Sequence, residues 1–185
     1  MPRHAIRADL LDFSADPGWA AGDNAPGVRL RSNHWLLIDG DRIAGVQHEA
    51  PDDTWQRHDH AGCLLMPGFI DAHVHMPQLE VIASYGAELL DWLGTYTFPA
   101  ETRYADPAVC AAGAARFLDR MLAHGTTAAM VFPTVHAASA DALFGEASQR
   151  GMRLIAGQCL MDRHAPDALT VAADLAERDS EALIA

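Results

Sequence analysis

A chain of 185 residues, half of them hydrophobic, is long enough for one or two domains with buried cores. Its formal net charge is −12, with 25 acidic residues against 13 basic ones and no basic run, which argues against a nucleic-acid partner. Cys63, Cys110 and Cys159 form no C-x-x-C pair, which excludes a zinc ribbon, a thioredoxin-like motif and the H-x-E/P-C-x-x-C type of deaminase zinc site. Their odd, scattered number fits a reducing cytoplasm, and with no signal-peptide core and no long apolar run the expectation is a cytoplasmic protein with no membrane partner.

In chain order, Ala5 to Phe13 reads as a strand and Ser14 to Pro26, rich in Gly, Pro, Asp and Asn, as a loop. Val28 to Arg31 reads as a second, short strand. Trp35 to Ile38, Asp39-Gly40 and Arg42 to Val46 form a hairpin signal, because Asp-Gly supplies the positive φ angles of a tight turn. The polar stretch Glu49 to His60 reads as an edge or loop. Residues 1–62 are therefore expected to form part of a small β-sandwich domain.

Gly62 to His75 reads as the next strand, followed by a long connection from Met76 to Ala105 with a short helix near Leu89, Leu90 and Leu93. Asp106 as N-cap and Pro107 at the first helical position open a helix that Gly125 closes. Then come a strand at Thr126 to Phe132, a helix at Ala140 to Arg150, a strand at Arg153 to Met161, and a helix from Asp167 onward. Strand and helix alternate three times, which argues for a parallel sheet with helices outside it. A closed eight-stranded barrel needs ~250 residues, and residues 63–185 are about half of that. The expectation is an N-terminal portion of a longer barrel protein, the alternative being a small open three-stranded sheet with an exposed edge.

The chemistry centres on Asp71-Ala72-His73-Val74-His75, at the C-terminal end of the first strand of this repeat, where barrel enzymes carry their sites. Alternate side chains on a strand share a face, so Asp71, His73 and His75 are expected together. Two imidazoles two residues apart on a rigid strand can reach one metal ion, zinc or iron. Asp71, one layer deeper, is assigned a structural role. Gln78 offers a donor and an acceptor to a flat heterocycle, or simply faces water. Trp92, Tyr96 and Phe98 could stack on a planar substrate or anchor the long loop. His136, Arg163 and His164 follow the second and third strands on the same face, with no ligand role assigned. Ser14, Ser84 and Ser139 lack a nucleophile-elbow context, and no G-x-G-x-x-G follows a strand.

Pro67-Gly68-Phe69-Ile70-Asp71-Ala72-His73-Val74-His75 resembles the amidohydrolase superfamily. Within it, Pro77-Gln78, Leu90-Asp91-Trp92-Leu93, Tyr96-Thr97-Phe98-Pro99-Ala100-Glu101, Gly125-Thr126-Thr127 and Met161-Asp162-Arg163 resemble the guanine deaminase family, with His164 where Asn is more usual. The resemblance implies an α/β, amidohydrolase-type (β/α)8 barrel, of which residues 63–185 are the first three units. It implies one Zn2+ per subunit (Fe2+ being the other choice) with His73 and His75 as its first two ligands. A substrate pocket would be lined by His75, Met76, Pro77 and Gln78, with Trp92 as a further contact. The implied reaction is hydrolytic deamination of guanine to xanthine and ammonia by a metal-bound hydroxide. The remaining ligands and the catalytic acid are expected downstream of Ala185, so no catalytic residue is assigned within the chain, and the full-length protein is expected to be a homodimer. The alternatives are an amidohydrolase acting on a pyrimidine or triazine ring, or a fragment inactive in isolation.

Overall fold

The computed structural model describes residues 2–19 and 25–184, so part of the predicted Ser14–Pro26 loop lies outside the described residues. Two compact units divide the chain between Pro67 and Gly68, rather than after residue 62.

The first unit is a four-stranded sheet of β1 (Arg3–Phe13), β2 (Val28–Asp39), β3 (Arg42–Gln47) and β4 (Gln56–Leu65), in the order β3-β2-β1-β4. Its described residues form one of the two sheets that a sandwich needs. The two short strands expected at Val28–Arg31 and Trp35–Ile38 are one continuous strand. A bulge at Asn33 carries it past the polar interruption: Asn33 takes a φ of +56°, which Asn tolerates, and its N–H donates to Asp9 Oδ1 at 2.8 Å. β4 begins at Gln56, so only the end of the stretch read as an edge or loop is strand. It lies at the sheet edge, parallel to β1, where polar residues are tolerated, and Arg7 reaches Asp59 at 3.1 Å.

The single strand expected over Gly62 to His75 is two strands in two units. Pro67 has no N–H to give a ladder and restricts Met66 before it, so β4 ends at Leu65 and β5 (Phe69–His75) begins afresh.

In the second unit β5, β6 (Thr126–Phe132) and β7 (Arg153–Ala156) form a parallel sheet in the order β5-β6-β7. Each new strand adds on the same side, as in a barrel, and the order does not reverse as it does in a doubly wound sheet. Helices α3 (Pro107–Ala123) and α4 (Ala137–Arg150) cover one face. Ala129 and Val131 of β6 pack there with Phe117, Leu118, Met121 and Leu143. Met130 and Ile155 lie on the other face and stay exposed, because three strands cannot close a barrel around them.

α3 begins where the sequence predicts: the Asp106 carboxylate accepts from Ala108 N at 2.8 Å, and Gly125 beyond the helix has a φ of +81°. β7 is shorter than expected. After Ala156 and Gly157 the chain leaves the ladder, and Cys159 N donates instead to Thr134 O at 2.9 Å, in the loop after β6. The predicted last helix is a 3-10 turn at Asp167–Leu169 followed by α5 (Ala173–Ile184). No helix among the described residues is long and apolar enough to cross a membrane.

Candidate active site

The connection after β5 is not an open loop. A 3-10 turn (Met76–Val81) leads to α1 (Leu89–Trp92), a π-helical turn (Leu93–Thr97), α2 (Phe98–Thr102) and a second 3-10 turn (Arg103–Ala105). The aromatic and acidic residues of this stretch are therefore held on helical faces above the end of β5. A π-turn inserted in a helix shifts the faces that follow it and is frequent at functional sites.

β5 carries the two imidazoles. Pairing with β6 slips between Asp71 and Val74, so a bulge interrupts strict alternation just before His73. The Asp71 carboxylate spans this bulge by accepting from His73 N at 3.0 Å. His73 and His75 point to the same side, their ring centroids 5.2 Å apart and their planes at 62°. Both lie 4.9 Å from the ring of Phe132, on which His75 stacks at 17°. Phe132 escaped the sequence reading. Its one signal was its position as the last residue of the next strand.

Burial, and then the charge of His73, pushes the His75 pKa below its ordinary value. His75 is thus held as the neutral imidazole that a metal needs. Its Nδ1 is buried and has no hydrogen-bond partner. Two adjacent imidazoles fit part of the donor set of a zinc or iron site. Among the described residues no group of three or more His, Cys, Asp or Glu converges as a metal site, so His73 and His75 are a partial set.

Two cavities adjoin β5, of about 750 and 670 Å³, the first running along the strand and α3 as far as Thr126 at the start of β6. Gln78 and His75 line both. Trp92 joins His73 in the first; Phe98 joins Glu101, Thr97 and Gln158 in the second. Tyr96 lines neither, so of the three aromatic candidates two reach the cavities. Met76 and Pro77, expected to line the pocket, line neither cavity: both are fully buried, Met76 within the core cluster.

His136 caps the start of α4. Its Nε2 is buried and unpartnered, and burial lowers its pKa, but it lines neither cavity. Arg163 and His164 are exposed, with Arg163 paired to the adjacent Asp162 at 3.3 Å. The sequence reading also missed Glu101, which is 6% exposed and whose carboxyl burial pushes up to about 7. Nearby, burial and then the charge of Glu101 push the Cys159 thiol up to about 12.

Residues 64–184 match the amidohydrolase family. The chain is 46% identical over 138 residues to the guanine deaminase of Escherichia coli K12, an alignment covering 75% of this chain and 31% of that protein. It is 38% identical over 176 residues to a probable guanine deaminase of Deinococcus radiodurans, covering 95% of this chain and 38% of that one. The structure of E. coli guanine deaminase superposes with a TM-score of 0.86 at 39% identity, over 98% of this chain and 43% of that one. The chain thus spans about a third of the length of the curated relatives it matches. With the family match extending over both imidazoles, the three-stranded parallel sheet and its helices, this chain belongs to the amidohydrolase family.

Proposed function

We propose that the protein carrying this chain hydrolyses guanine to xanthine and ammonia. The observation that carries the reading is the pair of imidazoles at the end of β5, opening on cavities that Gln78 and Trp92 also line. The identity to two guanine deaminases extends through this stretch and supports the choice of substrate.

In this reading His73 and His75 hold one Zn2+, or Fe2+, with further ligands from the part of the fold that the relatives carry beyond the matched third. When bound, the ion supplies Lewis acidity and lowers the pKa of a water molecule. Phe132 keeps both imidazoles from rotating away, and burial keeps His75 neutral and able to bind metal.

Gln78 can donate to a ring carbonyl and accept from a ring N–H at once, which suits the amide edge of a purine. Trp92 gives the planar ring a face to lie against. Together these groups orient the substrate so that the carbon bearing the amino group faces the two imidazoles. Water adds to that carbon, the C–N bond breaks, and the amine leaves as ammonia after taking up a proton. The acid that moves this proton is assigned to the part of the barrel beyond these strands. The resemblance further supports a homodimer, and the three free cysteines suit a reducing cytoplasm.

The test is a substrate panel of guanine, cytosine and a chloro- or amino-triazine offered to the purified gene product. Xanthine and ammonia should form from guanine alone, with about one metal ion per chain. Turnover of a pyrimidine or triazine in preference to guanine would move the substrate assignment and leave the family intact.

A further inference from the structure

Among the described residues, three that line one cavity of the second unit each carry a buried polar atom without a partner: His75 Nδ1, Thr97 Oγ1 and Gln158 Oε1. Burying such groups without partners is costly, so the set calls for a group that satisfies them. Glu101 lines the same cavity and is 6% exposed, and among the described residues its carboxyl group has no hydrogen-bond partner. Thr97 is 2% exposed and stands four residues before Glu101, on the same side of the helical segment. Gln158 is turned by its amide nitrogen, which donates to Val135 O, so its oxygen is the atom left free.

We propose that Glu101 is the carboxylate that accepts the Nδ1–H of His75, directly or through one water, and so fixes that imidazole with Nε2 turned toward the metal position. The inference rests on the metal reading above. A histidine that binds metal through one nitrogen needs an acceptor at the other to set its tautomer and its plane. Phe132 restrains the plane of His75 by stacking, but an aromatic face does not select which nitrogen carries the proton. Asp71, the carboxylate on β5 itself, is already engaged by the backbone of His73. Of the two acidic side chains that line a cavity together with His75, Asp71 is so engaged and Glu101 is not, while His75 Nδ1 is left buried without a partner. The Thr97 hydroxyl then donates to the same carboxylate, and the Gln158 oxygen takes up a hydrogen from a bridging water. Glu101 is thus a positioning residue, acting on the reaction through His75.

The experiment compares the full gene product with its Glu101→Gln and Glu101→Ala variants. Zinc affinity is read by chelator competition, and the tautomer of His75 by ¹⁵N NMR of its ring with the metal stripped. Loss of such an outer partner weakens metal binding by about 10–100-fold. The expected result is a fall of about 10-fold for Glu101→Gln, which keeps an acceptor oxygen but not the charge, and about 100-fold for Glu101→Ala. The His75 ring should be the Nδ1–H form in the parent and a mixture in Glu101→Ala. Should the alanine variant not fold, the isosteric glutamine variant carries the comparison. Zinc affinity within twofold of the parent in Glu101→Gln, with the tautomer unchanged, overturns the inference and leaves the metal site standing. A parent protein that takes up no zinc overturns both.

Discussion

Gly113, in the middle of α3, has a consequence that helix propensity alone would predict with the wrong sign. A Cβ added there would lie 2.4 Å from the Tyr104 hydroxyl oxygen and 2.8 Å from two of its ring carbons, where ordinary contact begins near 3.4 Å. Tyr104 must therefore retreat by about 1 Å. It is 2% exposed within the core cluster, burial pushes its phenol up to about 12, and its own carbonyl accepts from Cys110 Sγ at 3.0 Å, so its neighbours must move with it. Overpacking of this kind costs ~1–3 kcal/mol, whereas replacing Gly by Ala in a helix gains ~1 kcal/mol. Gly113→Ala should thus destabilise the protein by ~1 kcal/mol, read as a lower urea midpoint with an unchanged slope. In a Tyr104→Phe background, which removes the nearest atom, the same substitution should cost less, a coupling of ~1 kcal/mol by double-mutant cycle. Tyr104 also ends the helical segment bearing Thr97 and Glu101, so the displaced ring should lower guanine turnover beyond what the stability loss explains. Stabilisation of the parent by Gly113→Ala would refute the reasoning, since it would mean that the ring yields freely.

Substituting His73 or His75 by Ala should strip zinc from the gene product and abolish turnover, with metal content falling by more than the ~100-fold that marks loss of an outer partner; retained zinc would remove that residue from the ligand set. Asp106→Ala should cost ~1 kcal/mol through loss of the α3 cap, and Asp106→Asn much less, by urea titration. Cys63 is exposed while burial holds the Cys159 thiol up at about 12, so at pH 8 a thiolate-selective reagent should label Cys63 and leave Cys159 intact until the protein unfolds. Because that thiol ionises near 9 in the unfolded chain, its contribution to stability is complete below pH 9 and is lost as the pH rises through 12; alkaline unfolding of a Cys159→Ala variant should accordingly begin at higher pH.

The elements that local chemistry marks strongly were legible in the sequence: the Asp-Gly hairpin, the Asp106-Pro107 start and Gly125 stop of α3, the apolar strand Thr126–Phe132, and the His-x-His pair at a strand end. Each depends on interactions within a few residues, which one chain segment can reveal by itself. Where the reading failed, a partner distant in sequence decided the outcome. β2 runs unbroken because Asp9 receives the backbone of Asn33, and pairing with β1 decides between the edge and the loop that the sequence left open for Glu49 to His60, making its end the edge strand β4. β7 stops short because Thr134 captures Cys159, and the long connection after His75 coils into helical turns that meet α3 where Tyr104 lies against Gly113. The site divides the same way. The imidazole pair was visible because strand periodicity alone places His73 and His75 side by side. Phe132, Thr97, Glu101 and Gln158 were not, because what gives each a role is burial beside an imidazole brought from another strand. Sequence by itself determined which atoms can bind a metal; only the tertiary structure decided which of their hydrogen bonds were left to be made, since desolvation and partner choice arise when separate segments meet.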